Sequence, residues 1–305
     1  MIENNINVLS LFDGMSCGQI ALERAGIKVG NYYASEIDKH AIKVTQHNYP
    51  DTIQLGDVTQ VNGSDLPKID LLIGGSPCQG FSFAGKQLNF DDPRSKLFFE
   101  FVRLLEETKP KYFLLENVRM KKEYQDVITE YLGVEPVFIC SSNFSAQKRK
   151  RLYWTNIPGL ETKKETKKGK VLADILESNI GANTSRKYLT EEQVERAHRK
   201  HAKQQLHTGT KMGAVKFPTP LNEKSKCCLA VNVIADRSVT HIQDEVGIRM
   251  PTPLEFERLQ TVPDSYTACV SNTQRYRMLG NGWTVDVITH IFKHLKIEQN
   301  CGELW

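Results

Sequence analysis

Residues 6–18 read Ile-Asn-Val-Leu-Ser-Leu-Phe-Asp-Gly-Met-Ser-Cys-Gly. The apolar run 6–12 predicts a buried strand. Asp13-Gly14-Met15-Ser16-Cys17-Gly18 is a turn of small residues, and Gln19–Arg24 continues as a helix that stops at Gly26. Strand, small-residue turn and helix together open an α/β fold of the nucleotide-binding kind. The spacing Gly14-x-x-x-Gly18 is not the dinucleotide pattern Gly-x-Gly-x-x-Gly, so the loop alone is a weak signal.

Working outward, a second strand over 31–35 ends at Glu36, Asp38 caps a helix to Asn48, and a third strand over 52–55 ends at Gly56-Asp57-Val58. An acidic residue ending the second strand suits ribose hydroxyls. Ordinary solvation of strand ends explains Glu36 or Asp57 singly just as well, but in sequence they outline a crevice at the carboxyl ends of parallel strands. The run Ile69–Ile73 reads as a buried strand and leads into Gly-Gly-Ser-Pro-Cys-Gln-Gly-Phe-Ser at 74–82. Pro77 has a fixed φ and stiffens the point where Cys78 emerges. A cysteine on a rigid loop after a buried strand is placed to be a nucleophile, and an inert buried cysteine fits the same residues.

A helix starting near Arg94 stops before Pro110, and the strand 112–115 runs into Glu116-Asn117-Val118. Glu116 is thus a polar group at the same sheet edge, where it can meet Cys78. Helix 121–132 and strand 136–140 follow, then Gln147-Lys148-Arg149-Lys150-Arg151 before strand 152–155. Alternation puts Gln147, Arg149 and Arg151 on one face of an extended segment, and a plain basic edge gives the same pattern. Residues 158–170 read as a linker. From 171 to about 250 the α/β rhythm is lost around one helix, Thr190–Leu206, with Thr190 and Gln193 as a capping box. Thr252-Pro253-Leu254-Glu255 opens another capped helix, and segments 272–279 and 283–296 close the chain around Gly280-Asn281-Gly282-Trp283.

The 305 residues are 40% hydrophobic, enough for one large domain or one and a half. Seven cysteines without a Cys-x-x-Cys pair argue against a disulfide framework or a zinc site and for a reducing compartment. No signal peptide and no bilayer-length apolar run is visible, so a soluble intracellular protein is expected. Net charge is +4, unevenly spread. Residues 147–170 hold nine Lys/Arg against two Glu, and residues 186–216 hold eight against three. These stretches carry +12, leaving −8 for the remainder, which suggests a polyanion facing the middle of the chain; a solvated lysine-rich surface fits the same charge and is the favoured reading for Lys163–Lys170 alone.

With these residues in view, the chain resembles the DNA (cytosine-5) methyltransferases, of bacterial or phage type; a tRNA cytosine-5 methyltransferase of the same family and a catalytically silent DNA-binding relative are the alternatives. The resemblance covers 6–156 and 249–295, in the family's order. Phe12-x-Gly14 with Gly18 resembles the methionine loop, and Pro77-Cys78-Gln79 the catalytic loop. Glu116-Asn117-Val118 resembles the acid motif and Gln147-x-Arg149-x-Arg151 the basic motif. Arg249–Pro263 and Gly280-Asn281 resemble the two C-terminal motifs. Asp13 and Trp283 depart from the small residues usual in bacterial members and look more like the animal de novo enzymes.

The resemblance implies a Rossmann-like, S-adenosylmethionine-dependent methyltransferase fold. Its sheet is mostly parallel with helices on both faces, and a small irregular target-recognition domain is added. Residues 1–165 plus 272–305 would form the catalytic domain and 166–271 the recognition domain. Cys78, Glu116, Arg149 and Arg151 would be catalytic. Phe12, Gly14, Ser16, Gly18, Glu36, Ile37, Asp57, Val58, Pro77, Leu97, Asn281 and Trp283 would hold S-adenosylmethionine and its product S-adenosylhomocysteine. Ser82, Gln147, Lys200 and Lys203 would contact double-stranded DNA. No metal or membrane is implied. The expectation is a cytoplasmic monomer, with a cognate restriction endonuclease admitted as partner.

Overall fold

The computed structural model describes residues 5–76, 93–177, 188–207, 217–230 and 239–297, with backbone only at 93–95 and 200–207. Chain contacts divide it into two compact units. The first is residues 1–140, 150–164 and 285–305; the second is 141–149 and 165–284.

The first unit is built on a seven-stranded sheet. In chain order its elements are β1 (Ile6–Leu11), α1 (Cys17–Arg24), β2 (Val29–Ser35), α2 (Lys39–Asn48), β3 (Ile53–Gln54) and β4 (Leu71–Gly74). Then come α3 (Pro93–Thr108), β5 (Tyr112–Val118), α4 (Lys122–Leu132), β6 (Val137–Cys140) and β7 (Lys150–Thr155). The strand order is β3-β2-β1-β4-β5-β7-β6, with β1 to β5 parallel and β7 antiparallel to both neighbours. The order reverses between β1 and β4, which makes that gap the switch point where ligands enter such sheets.

Alternation along the strands decides which helices cover which face. Leu9, Leu11 and Leu72 join Phe98, Phe101 and Leu104 of α3 and Ile128 of α4 in one buried cluster, closed by Trp154 of β7. Ile73, one residue on, instead meets α1 at Gly18, where any Cβ would come within 2.6 Å of it. Helices therefore cover both faces, as the resemblance implies. Fully burying each of these large side chains contributes about 1.5–3 kcal/mol.

The second unit holds α5 (Glu191–His207), β8 (Ile242–Gln243), β9 (Ile248–Arg249), α6 (Pro253–Leu259) and α7 (Asn272–Asn281); α8 (Val285–Phe292) returns to the first unit and packs on α1. Both capping boxes form. Thr190 and Gln193 exchange bonds at the start of α5, and Thr252 and Glu255 do so at α6 with Pro253 in the first turn. Glu255 also holds the buried Arg249 through two bonds of 2.7 and 2.9 Å.

The unit boundaries differ from 166–271. Gln260 donates to the carbonyls of Leu279 and Gly282, so α7 belongs with α6 and not with the sheet. Residues 141–149 also join the second unit, because Ser145 and Gln147 are tied to Leu259. Among the described residues no helix is long and apolar enough to cross a membrane.

Candidate active site

Parallel register brings four strands into one row: Ser35 of β2 beside Leu11 of β1, Leu11 beside Gly74 of β4, and Gly74 beside Leu115 of β5. The next residues of β1, β2 and β4, Phe12, Glu36 and Gly75, therefore leave the sheet at one edge, while β5 continues through Glu116, paired with Tyr153 of β7, to Val118. Pro77, Cys78 and Ser82 lie outside the described residues. The approach to them is fixed by Ser76, which is buried and accepts a 3.2 Å bond from Asn117 Nδ2.

The loop after β1 is strained. Phe12, Gly14 and Ser16 all take left-handed φ, at 56°, 61° and 57°. Glycine adopts this freely, but in other residues it stores about 1–3 kcal/mol and persists only where the surroundings enforce it. Glu36 accepts the Gly14 N–H at 2.8 Å on Oε2, and the Ile37 and Asp38 N–H groups at 2.8 Å on Oε1. Each carboxylate oxygen has two lone-pair sites, so Oε2 retains capacity for a hydroxyl. Ile37 beside it is 75% exposed, an apolar side chain that a flat ring could cover. Ser35 ties this edge to the Gly56 carbonyl, which brings exposed Asp57 alongside; its Oδ1 caps Thr59 N at 2.9 Å. Two carboxylates flanking an exposed apolar side chain fit a nucleoside with its ribose hydroxyls.

The other predicted positions in this unit have packing roles. Val58 is buried in the core cluster and Leu97 packs against it half-buried. Gly18 is required by the close approach of Ile73 and of Tyr32 Oη, 2.7 Å from where a Cβ would stand.

Glu116 is 8% exposed. Register places Val118 of β5 opposite Arg151 of β7, and Arg151 Nε reaches Glu116 Oε1 at 2.7 Å. The pair is close enough for a strong Coulombic contact, yet among the described residues no donor is aligned on Oε1 as a hydrogen bond. A buried oxygen with an ionic partner but no aligned donor retains hydrogen-bonding capacity.

The rest of the basic segment makes contacts within the second unit. Gln147 is fully buried; its Nε2 donates to Leu259 O at 2.8 Å and Gln260 Oε1 at 2.7 Å, and its Oε1 accepts from Cys228 N at 3.1 Å. It braces the second unit. Arg149 is 4% exposed and donates to the carbonyls of Cys228, Gly280 and Asn281 at 3.1–3.3 Å. A guanidinium has only donors, so in this carbonyl-lined position it clamps residues 228 and 280–281 together. Asn281 is exposed at the end of α7, Trp283 is half-buried, and Lys200 and Lys203 lie on α5.

Gly280 explains why this clamp has its shape. A Cβ there would stand 2.2 Å from Ala230 N and 2.3 Å from the Leu229 carbonyl carbon. Backbone cannot move aside as a flexible side chain would. Gly280→Ala is therefore expected to destabilise the second unit by about 3 kcal/mol or more, the upper range for overpacking. An unchanged urea midpoint would show that residues 229–230 do not press on Gly280.

The model of the family "C-5 cytosine-specific DNA methylase" matches residues 6–297. Type II methyltransferase M1.ScrFI of Lactococcus lactis subsp. cremoris is 31% identical over 310 residues, covering 92% of this chain and 75% of that protein. Type II methyltransferase M.HpaII of Haemophilus parainfluenzae is 30% identical over 341 residues, covering 100% of this chain and 92% of that protein. Among solved structures, the Dnmt2 methyltransferase of S. pombe superposes with a TM-score of 0.70 at 21% identity, covering 95% of this chain and 98% of that one. At that identity the likeness concerns the fold.

Proposed function

The chain belongs to the C-5 cytosine-specific DNA methylase family and is a DNA cytosine-5 methyltransferase, and from that premise we propose how its residues divide the work. Family membership implies S-adenosylmethionine as the methyl donor, which supplies an electrophilic methyl group at a sulfonium. Glu36, Ile37 and Asp57 bind its nucleoside part, and the Phe12–Ser16 loop faces the remainder.

Cytosine C5 is too weak a nucleophile to take that methyl unaided. The Cys78 thiolate adds to C6, forming a C–S bond, while Glu116 delivers a proton to N3. C5 is then enamine-like, and a bound donor would supply its methyl group there, its S–CH3 bond breaking as S-adenosylhomocysteine leaves. Loss of the C5 proton to a base, return of the N3 proton and cleavage of the C–S bond regenerate the ring and Cys78. Arg151 holds Glu116 in place and offers its remaining N–H groups to the base or its phosphate. The ring face of a stacked cytosine is inaccessible, so the target base must be flipped out of the duplex. The observation that carries this reading is the Glu116–Arg151 pair at the edge where β4 delivers the Cys78 segment.

Within the second unit, residues 166–248 select the sequence on double-stranded DNA. Two features support this: the basic charge at 186–216, and the location of the motifs carrying the chemistry outside it. The protein acts as a monomer in the bacterial cytoplasm, and its type II relatives support a cognate restriction endonuclease as partner. Tritiated methyl from S-adenosylmethionine should pass to plasmid DNA and not to tRNA. Bisulfite sequencing should then find protected cytosines at one recurring site, and exchange of 166–248 with a relative's segment should move that site. Label in tRNA alone would overturn the assignment; an active chimera that keeps the original site would remove recognition from 166–248.

A further inference from the structure

Asp13 stands at the tip of the first strand, and the chemistry above gives it no task. Its residue is half-buried, but its carboxylate turns inward onto three hydroxyls. Ser10 Oγ of β1 donates to Oδ1 at 2.6 Å and Tyr32 Oη of β2 donates to the same oxygen at 2.8 Å. Ser16 Oγ, at the start of α1, donates to Oδ2. Ser16 Oγ is in turn reached by Thr45 Oγ1 and Gln19 Nε2, each at 3.3 Å.

A serine at a helix N-cap ordinarily takes an extended backbone and accepts an N–H of the first turn. Ser16 does neither: its φ is left-handed and its side chain makes no cap bond. Its hydroxyl is directed to Asp13 instead. The clamp encloses Phe12, Gly14 and Ser16, the three left-handed residues of the strained loop.

We propose that Asp13 is the positioning residue of the cofactor loop: by gathering hydroxyls from β1, β2 and α1 it holds Phe12–Ser16 in the conformation that presents Gly14 to Glu36. The proposal rests on the cofactor reading above. The clamp is kept at a cost to the fold. Burial is the largest influence on the Asp13 carboxyl and pushes it up to about 6, opposed by the three hydroxyl donors and reinforced by the charge of Glu36. A carboxyl raised in the folded state adds stability at low pH that is lost as pH rises through about 6, so near neutrality its ionised form weakens the fold. A side chain chosen only for stability would not be ionisable there.

The test uses the full chain. Asp13→Ala removes an acceptor from all three hydroxyls, whereas Asp13→Asn keeps the shape, with Oδ1 accepting from Ser10 and Tyr32 and Nδ2 donating to Ser16. Asp13→Ala should weaken S-adenosylhomocysteine binding in calorimetry by about tenfold to a hundredfold, the scale for lost bonds to a charged group. The KM for S-adenosylmethionine should rise in step while kcat at saturation stays within about threefold, because an interaction lost from cofactor binding alone leaves the bound complex competent. Asp13→Asn should restore affinity to near the parent value. If Asp13→Ala does not fold, Tyr32→Phe and Ser10→Ala each remove one hydroxyl and should each weaken binding by about twofold to fivefold. Unchanged affinity in the alanine or single-hydroxyl variants, or a fall in kcat with KM unmoved, would overturn the proposal. A parent enzyme that binds no S-adenosylhomocysteine would overturn the cofactor reading itself, and this inference with it.

Discussion

Replacing Cys78 with alanine is expected to lower methyl transfer by about four powers of ten or more, while DNA and S-adenosylmethionine still bind. The size follows from the chemistry. Without a C–S bond at C6, C5 must attack as part of an aromatic ring, and neither the Glu116 proton nor the Arg151 charge can lower that barrier, because there is no adduct for them to stabilise. Binding should survive, since the thiol is one small group among many contacts. Transfer of tritiated methyl gives the rate, and fluorescence anisotropy with labelled duplex gives the binding. An alanine variant turning over within about tenfold of the parent would remove the covalent step, for only covalent catalysis makes this side chain indispensable.

Much of the sheet edge could be read from the chain because local rules govern it. Apolar runs of strand length, each ending in Asp, Glu or a glycine turn, mark strands whose carboxyl ends share an edge; β1, β2 and β4 obey this, whereas β5 runs on through Glu116 to Val118 because β7 pairs with it there. The capping boxes at Thr190 and Thr252 were equally legible, since their partners stand three residues away.

Legibility ended where partners are distant in sequence. Alternation correctly groups Gln147 and Arg149 as a pair, but a period of two cannot say whether their common face meets DNA or the carbonyls of Leu259 and Gly280. The spacing Ser10-x-x-Asp13-x-x-Ser16 was in plain view, but Tyr32, the partner that completes the clamp, arrives only through β1–β2 pairing. Likewise α7 reads as a continuation of the α/β pattern, and only the bonds from Gln260 assign it to the second unit.

The pair Glu116–Arg151 should be strongly coupled, both in stability and in rate. Its side chains are 10% and 14% exposed, so neither charge is well solvated. Arg151→Ala leaves a carboxylate without its cation in a nearly dry place. That should cost about 2–4 kcal/mol, somewhat below the range for a fully buried pair because some exposure remains. Glu116→Gln keeps the shape and removes the charge, so alone it strands the guanidinium less severely, since Arg151 also donates to Lys150 O at 2.9 Å. In the double variant the carboxylate that suffers from losing Arg151 is already gone. Its destabilisation should therefore fall short of the summed single effects by about 1–3 kcal/mol. Methyl transfer should show the same pattern: each single variant loses about two to three powers of ten, and the double loses little more, because one group delivers the proton and the other holds it there. Urea unfolding and tritium transfer on the four proteins of the cycle measure both. Losses that add within about 0.5 kcal/mol, the margin found for independent sites, would mean that the 2.7 Å contact carries no coupling and that Arg151 acts elsewhere.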